Sequence, residues 1–95
     1  MSLVRSLLFT PGNVLKMMSK GSESGAHVQI VDLEDSVPAH QKEAARVSAN
    51  QFLLAAKQSS LLLCARVNNT KRLLSEDLDA VIVPSLWGVS IGKVR

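Results

Sequence analysis

Short apolar runs rich in strand-forming residues recur along this chain, each separated from the next by a stretch of helical pattern. Val28-Gln-Ile-Val-Asp-Leu33 is one such run and Leu61-Leu-Leu-Cys-Ala-Arg-Val67 is another. Between them, residues 39–57 place Ala45, Ala49, Phe52, Leu53 and Ala56 on one helical stripe. Near-continuous apolar runs of this length suit parallel strands covered on both faces. Parallel neighbours need a long crossover, and a helix of this size supplies one. The chain is therefore read as α/β, with a parallel sheet.

The remaining segments extend the alternation. Val4-Arg-Ser-Leu-Leu-Phe-Thr10 reads as a strand closed by the turn Pro11-Gly12-Asn13. Asn13 is a candidate cap for a helix carrying Val14, Met17 and Met18, with Gly21 and Gly25 as stops; both methionines are assigned to the core. After the Asn68-Asn69 turn, residues 73–83 look helical, with Ser75 as a possible cap. A fourth strand has two candidates: Val89-Ser-Ile-Gly-Lys-Val94, or Ala80-Val-Ile-Val83 stopped by Pro84. The residues alone leave both open. The order is β-α-β-α-β-α-β in one domain over residues 1–95, and it reads as the opening part of a larger α/β fold.

Composition removes several function classes. No apolar run approaches the roughly 20 residues of a membrane-spanning helix. A single cysteine, Cys64, rules out an internal disulfide framework and a multi-cysteine zinc site. The start lacks the pattern of a secretory signal, so a cytoplasmic location is expected, with a mitochondrial one left open. The net charge of +3 comes from scattered Lys and Arg, and aromatic residues make up 3%. That combination argues against nucleic acid as a partner.

In parallel α/β folds, chemistry gathers at the carboxyl ends of strands. Here those places hold residues 10–13, 32–35, 66–68 and Lys93. Alternation puts Leu62, Cys64 and Arg66 on one face of the third strand, and Leu61, Leu63, Ala65 and Val67 on the other. Arg66 is placed to fork a carboxylate, phosphate or enolate oxygen. It is equally placed for a structural ion pair with Glu34 or Asp35. The run Asp32-Leu-Glu-Asp35 can support a cation, cap the next helix or orient Arg66, and its spacing is not that of a calcium loop. Gly88-Val-Ser-Ile-Gly-Lys93 is a poor match to a phosphate-binding loop. Cys64, His27 and His40 read as ordinary structural residues.

The strand ends together spell a further pattern. Arg5-Ser-Leu-Leu-Phe-Thr-Pro-Gly-Asn13, then Val31-Asp-Leu-Glu-Asp-Ser-Val-Pro38 with Lys42, Ala45 and Arg46, then Ala65-Arg-Val-Asn68, resemble the HpcH/HpaI aldolase and citrate lyase beta-subunit family, in its citrate lyase beta-like and malyl-CoA lyase branch. The resemblance covers nearly all of this chain and about the first third of such a protein. It implies the amino-terminal three to four strands of a TIM-type (β/α)8 barrel. It also implies a Mg²⁺-dependent carbon–carbon lyase acting on a coenzyme A thioester of a hydroxy or oxo acid, usually as a trimer or hexamer.

Residue by residue, the resemblance makes Arg66 the arginine that binds substrate carboxylate and oxygen. It makes Phe9 a lining residue of the thioester entrance and Lys20 a partner for coenzyme A phosphates. Glu34 and Asp35 correspond to acids that support the metal-water and arginine network. Lys93 corresponds to the lysine after the fourth strand, which favours residues 89–94 over 80–83 for that strand. The two direct metal ligands, a Glu and an Asp, are expected beyond Arg95. Val14 stands where relatives often carry an arginine that grips the cofactor. Two other readings follow: an aldolase of free 2-oxo acids that needs no coenzyme A, and a non-catalytic truncated product or interaction module.

Overall fold

The computed structural model describes residues 7–56 and 61–91. Four parallel strands form one sheet in the order β1-β2-β3-β4: β1 is Leu7–Pro11, β2 is Val28–Asp32, β3 is Leu62–Val67 and β4 is Leu86–Ile91. The crossovers are α1 (Leu15–Gly21), α2 (Lys42–Ala55), preceded by a 3₁₀ turn at Ala39–Gln41, and α3 (Lys71–Val81). A doubly wound sheet reverses its strand order part-way. This one does not, so right-handed crossovers place every helix on the same face, as in an arc of a β/α barrel.

The covered face holds the core. Ala45, Ala49, Phe52 and Leu53 of α2 are buried against Val31, Leu63, Ala65 and Val67. These lie at the helical spacing read from the sequence, and together they remove enough apolar surface to hold helix to sheet. α1 is short and needs a polar tie. Gln29, fully buried on β2, donates from Nε2 to the Met18 carbonyl (2.9 Å) and to Thr10 Oγ1 (3.2 Å).

The opposite face is built in register rows. Phe9, Ile30, Cys64 and Gly88 share one row, and Pro11, Asp32, Arg66 and Ser90 share the next toward the carboxyl ends. Partners in a parallel ladder point the same way, so each row is a layer of the kind that fills a barrel interior. Such layering brings side chains from distant segments to one level.

Several boundaries differ from expectation. The fourth strand starts at Leu86, earlier than 89–94, and Ala80 and Val81 belong to α3. Ser85 Oγ donates to the Leu53 carbonyl (2.7 Å) and the Leu86 amide to that of Val83 (3.0 Å), which turns the chain so that Leu86 reaches Leu63. A register shift between Leu63 and Cys64 follows. Lys93, Arg5 and residues 57–60 lie outside the described residues.

α3 begins at Lys71 with Thr70, not Ser75, at its cap, because the Leu74 amide already reaches the Thr70 carbonyl at 2.7 Å. Val14, not Asn13, is the N-cap of α1, and Asn13 Nδ2 donates instead to Gln41 Oε1. Met18 is buried as expected, whereas Met17 is half exposed, since adjacent helical residues diverge by a third of a turn.

Gly21 closes α1 against the sheet. A Cβ there would lie 2.8 Å from Gln29 Nε2, 2.9 Å from Thr10 Cγ2 and 3.2 Å from Leu8 Cδ2. Replacing glycine by alanine in a helix gains at most about 1 kcal/mol, while overpacking a filled site costs about 1–3 kcal/mol. Gly21→Ala is therefore expected to be net destabilising. A urea midpoint equal to or above that of the unchanged chain would contradict this packing account.

Candidate active-site arginine

Asp32 ends β2 and Arg66 stands opposite it on β3, so the ladder itself brings acid and base together. Arg66 Nε donates to Asp32 Oδ1 (2.9 Å) and Nη2 to Oδ2 (2.6 Å), a two-point contact that fixes the guanidinium plane. Asp32 is 1% exposed. Its Oδ1 also accepts from the Glu34 amide (2.9 Å), and its Oδ2 from the Ser36 amide (3.0 Å) and the Ser36 hydroxyl. Burial by itself would raise this carboxyl, but the bonds from Arg66, Ser36 and the Glu34 amide outweigh it and bring the pKa down to about 2. The same contact raises Arg66 further above its usual value.

Two more groups meet the arginine. Glu34 Oε1 lies 3.5 Å from Nε, and the Phe9 ring centroid is 4.9 Å from the guanidinium carbon, within reach of a cation–π contact. Among the described residues, Nη1 and the second hydrogen of Nη2 make no further hydrogen bond. The side chain is 23% exposed. A planar cation is thus held from one side and behind, with donors left at its tip. That is an arrangement for gripping a carboxylate or a developing oxyanion.

The loop between β2 and α2 is closed by Lys42, whose Nζ donates to the carbonyls of Leu33 (2.9 Å) and Glu34 (2.7 Å). Burial lowers its pKa despite the surrounding acids Asp77, Asp32, Glu34 and Asp35. Asn68 Nδ2 reaches the same Leu33 carbonyl at 2.7 Å.

Of the residues singled out from the sequence, Phe9, Glu34 and Arg66 come together, and Asp35 is exposed at the edge of the same acidic loop, where it acts on Arg66 through its charge. Lys20 does not join them. The end of α1 packs beside Leu8 and Gln29, about 10 Å along the strands from the level of Arg66 at the usual rise per residue. The principal carboxylate partner of Arg66 is Asp32 instead of Glu34 or Asp35. Its signal was present: Asp32 and Arg66 are the last residues of equal parity on two adjacent parallel runs.

Among the described residues no three His, Cys, Asp or Glu side chains group as a metal site. Both Asp32 oxygens are already engaged, so this carboxylate supports the arginine.

The family model described as HpcH/HpaI aldolase/citrate lyase matches residues 5–95. The chain belongs to that family. A citrate lyase subunit beta-like protein of Deinococcus radiodurans is 37% identical over 98 aligned residues, which cover 99% of this chain and 34% of that protein. The crystal structure of CitE from Mycobacterium tuberculosis with magnesium and acetate matches with a TM-score of 0.72 at 27% identity, covering 87% of this chain and 33% of that one. The same protein with magnesium, acetoacetate and coenzyme A matches at TM-score 0.66 and 28% identity, covering 82% and 29%. The chain thus spans about a third of the length of these relatives, and its sheet is a part of their TIM-barrel-type fold. No helix among the described residues is long and apolar enough to cross a membrane.

The depressed Asp32 carboxyl links stability to pH. A group whose folded pKa is lowered stabilises above its unfolded value, near 3.8 here, and that contribution disappears as the pH falls through about 2. It amounts to about 2 kcal/mol. The stability difference between the unchanged chain and Asp32→Asn is expected to shrink by about that amount between pH 6 and pH 2. A constant difference across urea titrations at those pH values would refute the assignment.

Proposed function

We propose that this chain is the amino-terminal part, over residues 1–95, of a barrel that cleaves or forms a carbon–carbon bond beside a carbonyl. The substrate class is a coenzyme A thioester of a hydroxy or oxo acid, of the citryl-CoA or malyl-CoA kind, and the protein needs Mg²⁺ with ligands supplied from outside the described residues. The observation that carries the reading is the Arg66 head group, held by Asp32 in a fixed plane with donors left over. The magnesium, acetoacetate and coenzyme A present in the CitE structure support the substrate class.

In this reading Arg66 receives the substrate carboxylate or the thioester oxygen. Where it is the thioester oxygen, the hydroxyl on the neighbouring carbon gives its proton to a base from outside the described residues and becomes a carbonyl. The electron pair of the broken carbon–carbon bond passes to the thioester oxygen as an enolate, and the enolate carbon then takes a proton. A guanidinium already oriented by Asp32 needs no reorganisation to meet the new charge, which is where such donors contribute most. The Phe9 face keeps water from one side of the cation. Glu34 and Asp35 add negative charge at the strand ends, where a metal-bound water would be held. Lys20, which the resemblance pairs with coenzyme A phosphates, stands about 10 Å along the strands from the level of Arg66, so only the distal part of an extended ligand could meet it. The family setting also points to a homo-oligomer in the cytoplasm.

Val14 supports a second reading. It occupies the N-cap of α1 with an apolar side chain, where an arginine would offer donors to coenzyme A. That favours, as the alternative activity, cleavage of free 2-oxo acids without the thioester.

Turnover of malyl-CoA, citryl-CoA and free 2-oxo acid aldols by the protein carrying these residues separates the possibilities. The expected result is Mg²⁺-dependent thioester cleavage, abolished by chelation and reduced about 10²–10³-fold in kcat by Arg66→Lys, which keeps a charge near Asp32 but loses the planar fork. Cleavage confined to free 2-oxo acids would transfer the assignment to the second reading. No turnover on either class would leave a non-catalytic protein.

A further inference from the structure

The hydrogen-bond ladder between β2 and β3 ends where the Leu33 amide donates to the Arg66 carbonyl at 2.9 Å. Beyond that bond the tie between the two segments runs through the Asn68 side chain. Asp77, on α3, is fully buried. Its Oδ2 accepts from the Asn68 amide (2.9 Å) and from Asn68 Nδ2 (2.7 Å), and its Oδ1 accepts from Arg46 Nε on α2 (2.8 Å). Asn68 Nδ2 in turn donates to the Leu33 carbonyl at 2.7 Å. Asp77 therefore ties the backbone two residues after Arg66 to α2 through Arg46, and Asn68 carries the link on to the Leu33 carbonyl, one residue after Asp32.

The placement is unusual for an acid. Asp77 sits at helical spacing with Leu74, Leu78 and Val81, on the stripe that α3 turns toward the core. A buried carboxylate costs stability against an apolar residue of similar size unless its bonds are complete, and these are. Holding helix to sheet needs no such group, because leucine or methionine there would do it. What an apolar residue would lose is the link between the two strand ends.

We propose that Asp77, which touches no ligand itself, is a positioning residue for the Arg66 site, fixing through Asn68 the relative placement of the Asp32 and Arg66 strand ends. Its catalytic meaning rests on the reading of Arg66 as the anion-binding group. Loss of the Asp77 bonds leaves the Asn68 side chain unfixed and weakens its tie to the Leu33 carbonyl, so that beyond the Leu33–Arg66 ladder bond only Lys42 of α2, among the described residues, holds that carbonyl and the guanidinium samples other orientations.

The test is nuclear magnetic resonance of the Arg66 Nε–H in the whole chain, which needs no substrate. In the unchanged chain this proton is protected by Asp32, and Asp32→Asn supplies the reference for a detached arginine. In Asp77→Asn its exchange is expected to accelerate about tenfold and its shift to move toward that reference, while the ladder amides of Val31 and Cys64 keep their protection. An unchanged Arg66 Nε–H with intact ladder amides would overturn the proposal. Should Asp77→Asn cost the ladder its protection, Asn68→Ala removes only the side-chain link and is judged by the same two criteria. A loosened Arg66 in a protein that turns over no thioester would retain the positioning role and remove the lyase reading.

Discussion

A carboxylate taken out of water must recover from protein donors what it lost, and Asp32 does so completely. It accepts from Arg66 at two points, from the amides of Glu34 and Ser36, and from the Ser36 hydroxyl. Each bond also dictates something about the surroundings. The two amides bend the chain after β2 into the loop that leads to α2. The two-point contact fixes which way Arg66 faces. Desolvation makes each of these donors costly to lose, since a buried charge left short of partners is penalised far more than an exposed one.

The helices serve that contact from behind. Lys42 and Asn68 meet on the Leu33 carbonyl, and Asp77 joins Asn68 to Arg46. The apolar core formed by α2 against β2 and β3 keeps water from competing for these bonds. Polar precision at the strand ends and apolar packing beneath them are therefore coupled: the first is affordable only where the second excludes solvent. The Phe9 ring, on the other side, covers the face of the cation without taking any of its donors.

How much was readable beforehand varies with how local the cause is. The alternation of apolar parity along residues 61–67 separated Leu62, Cys64 and Arg66 from Leu63, Ala65 and Val67, and the structure agrees, with the second set buried and the first less so; that the helices cover the second face alone came from the strand order. The α2 stripe was equally plain. The fourth strand was not, because its start depends on where Ser85 and Leu86 find Leu53, Val83 and Leu63, partners distant or weak in any local pattern. Asp77 escaped notice for a related reason. An acid on an apolar stripe is a visible anomaly, but nothing nearby in the chain says what it bonds.

By itself, then, the amino-acid sequence determined the alternation of strands and helices, the parallel sheet, the family, and which residues could lie at the carboxyl ends. Those properties follow from periodicity and from motifs of adjacent residues, which a linear chain displays directly. Only the tertiary structure decided that Asp32, not Glu34 or Asp35, is the principal partner of Arg66, that Phe9 lies over the guanidinium, and that Lys20 stands apart from both. The physical reason is register. Pairing β2 with β3 matches Asp32 to Arg66 and sets the rows in which side chains meet, and no single strand carries that information.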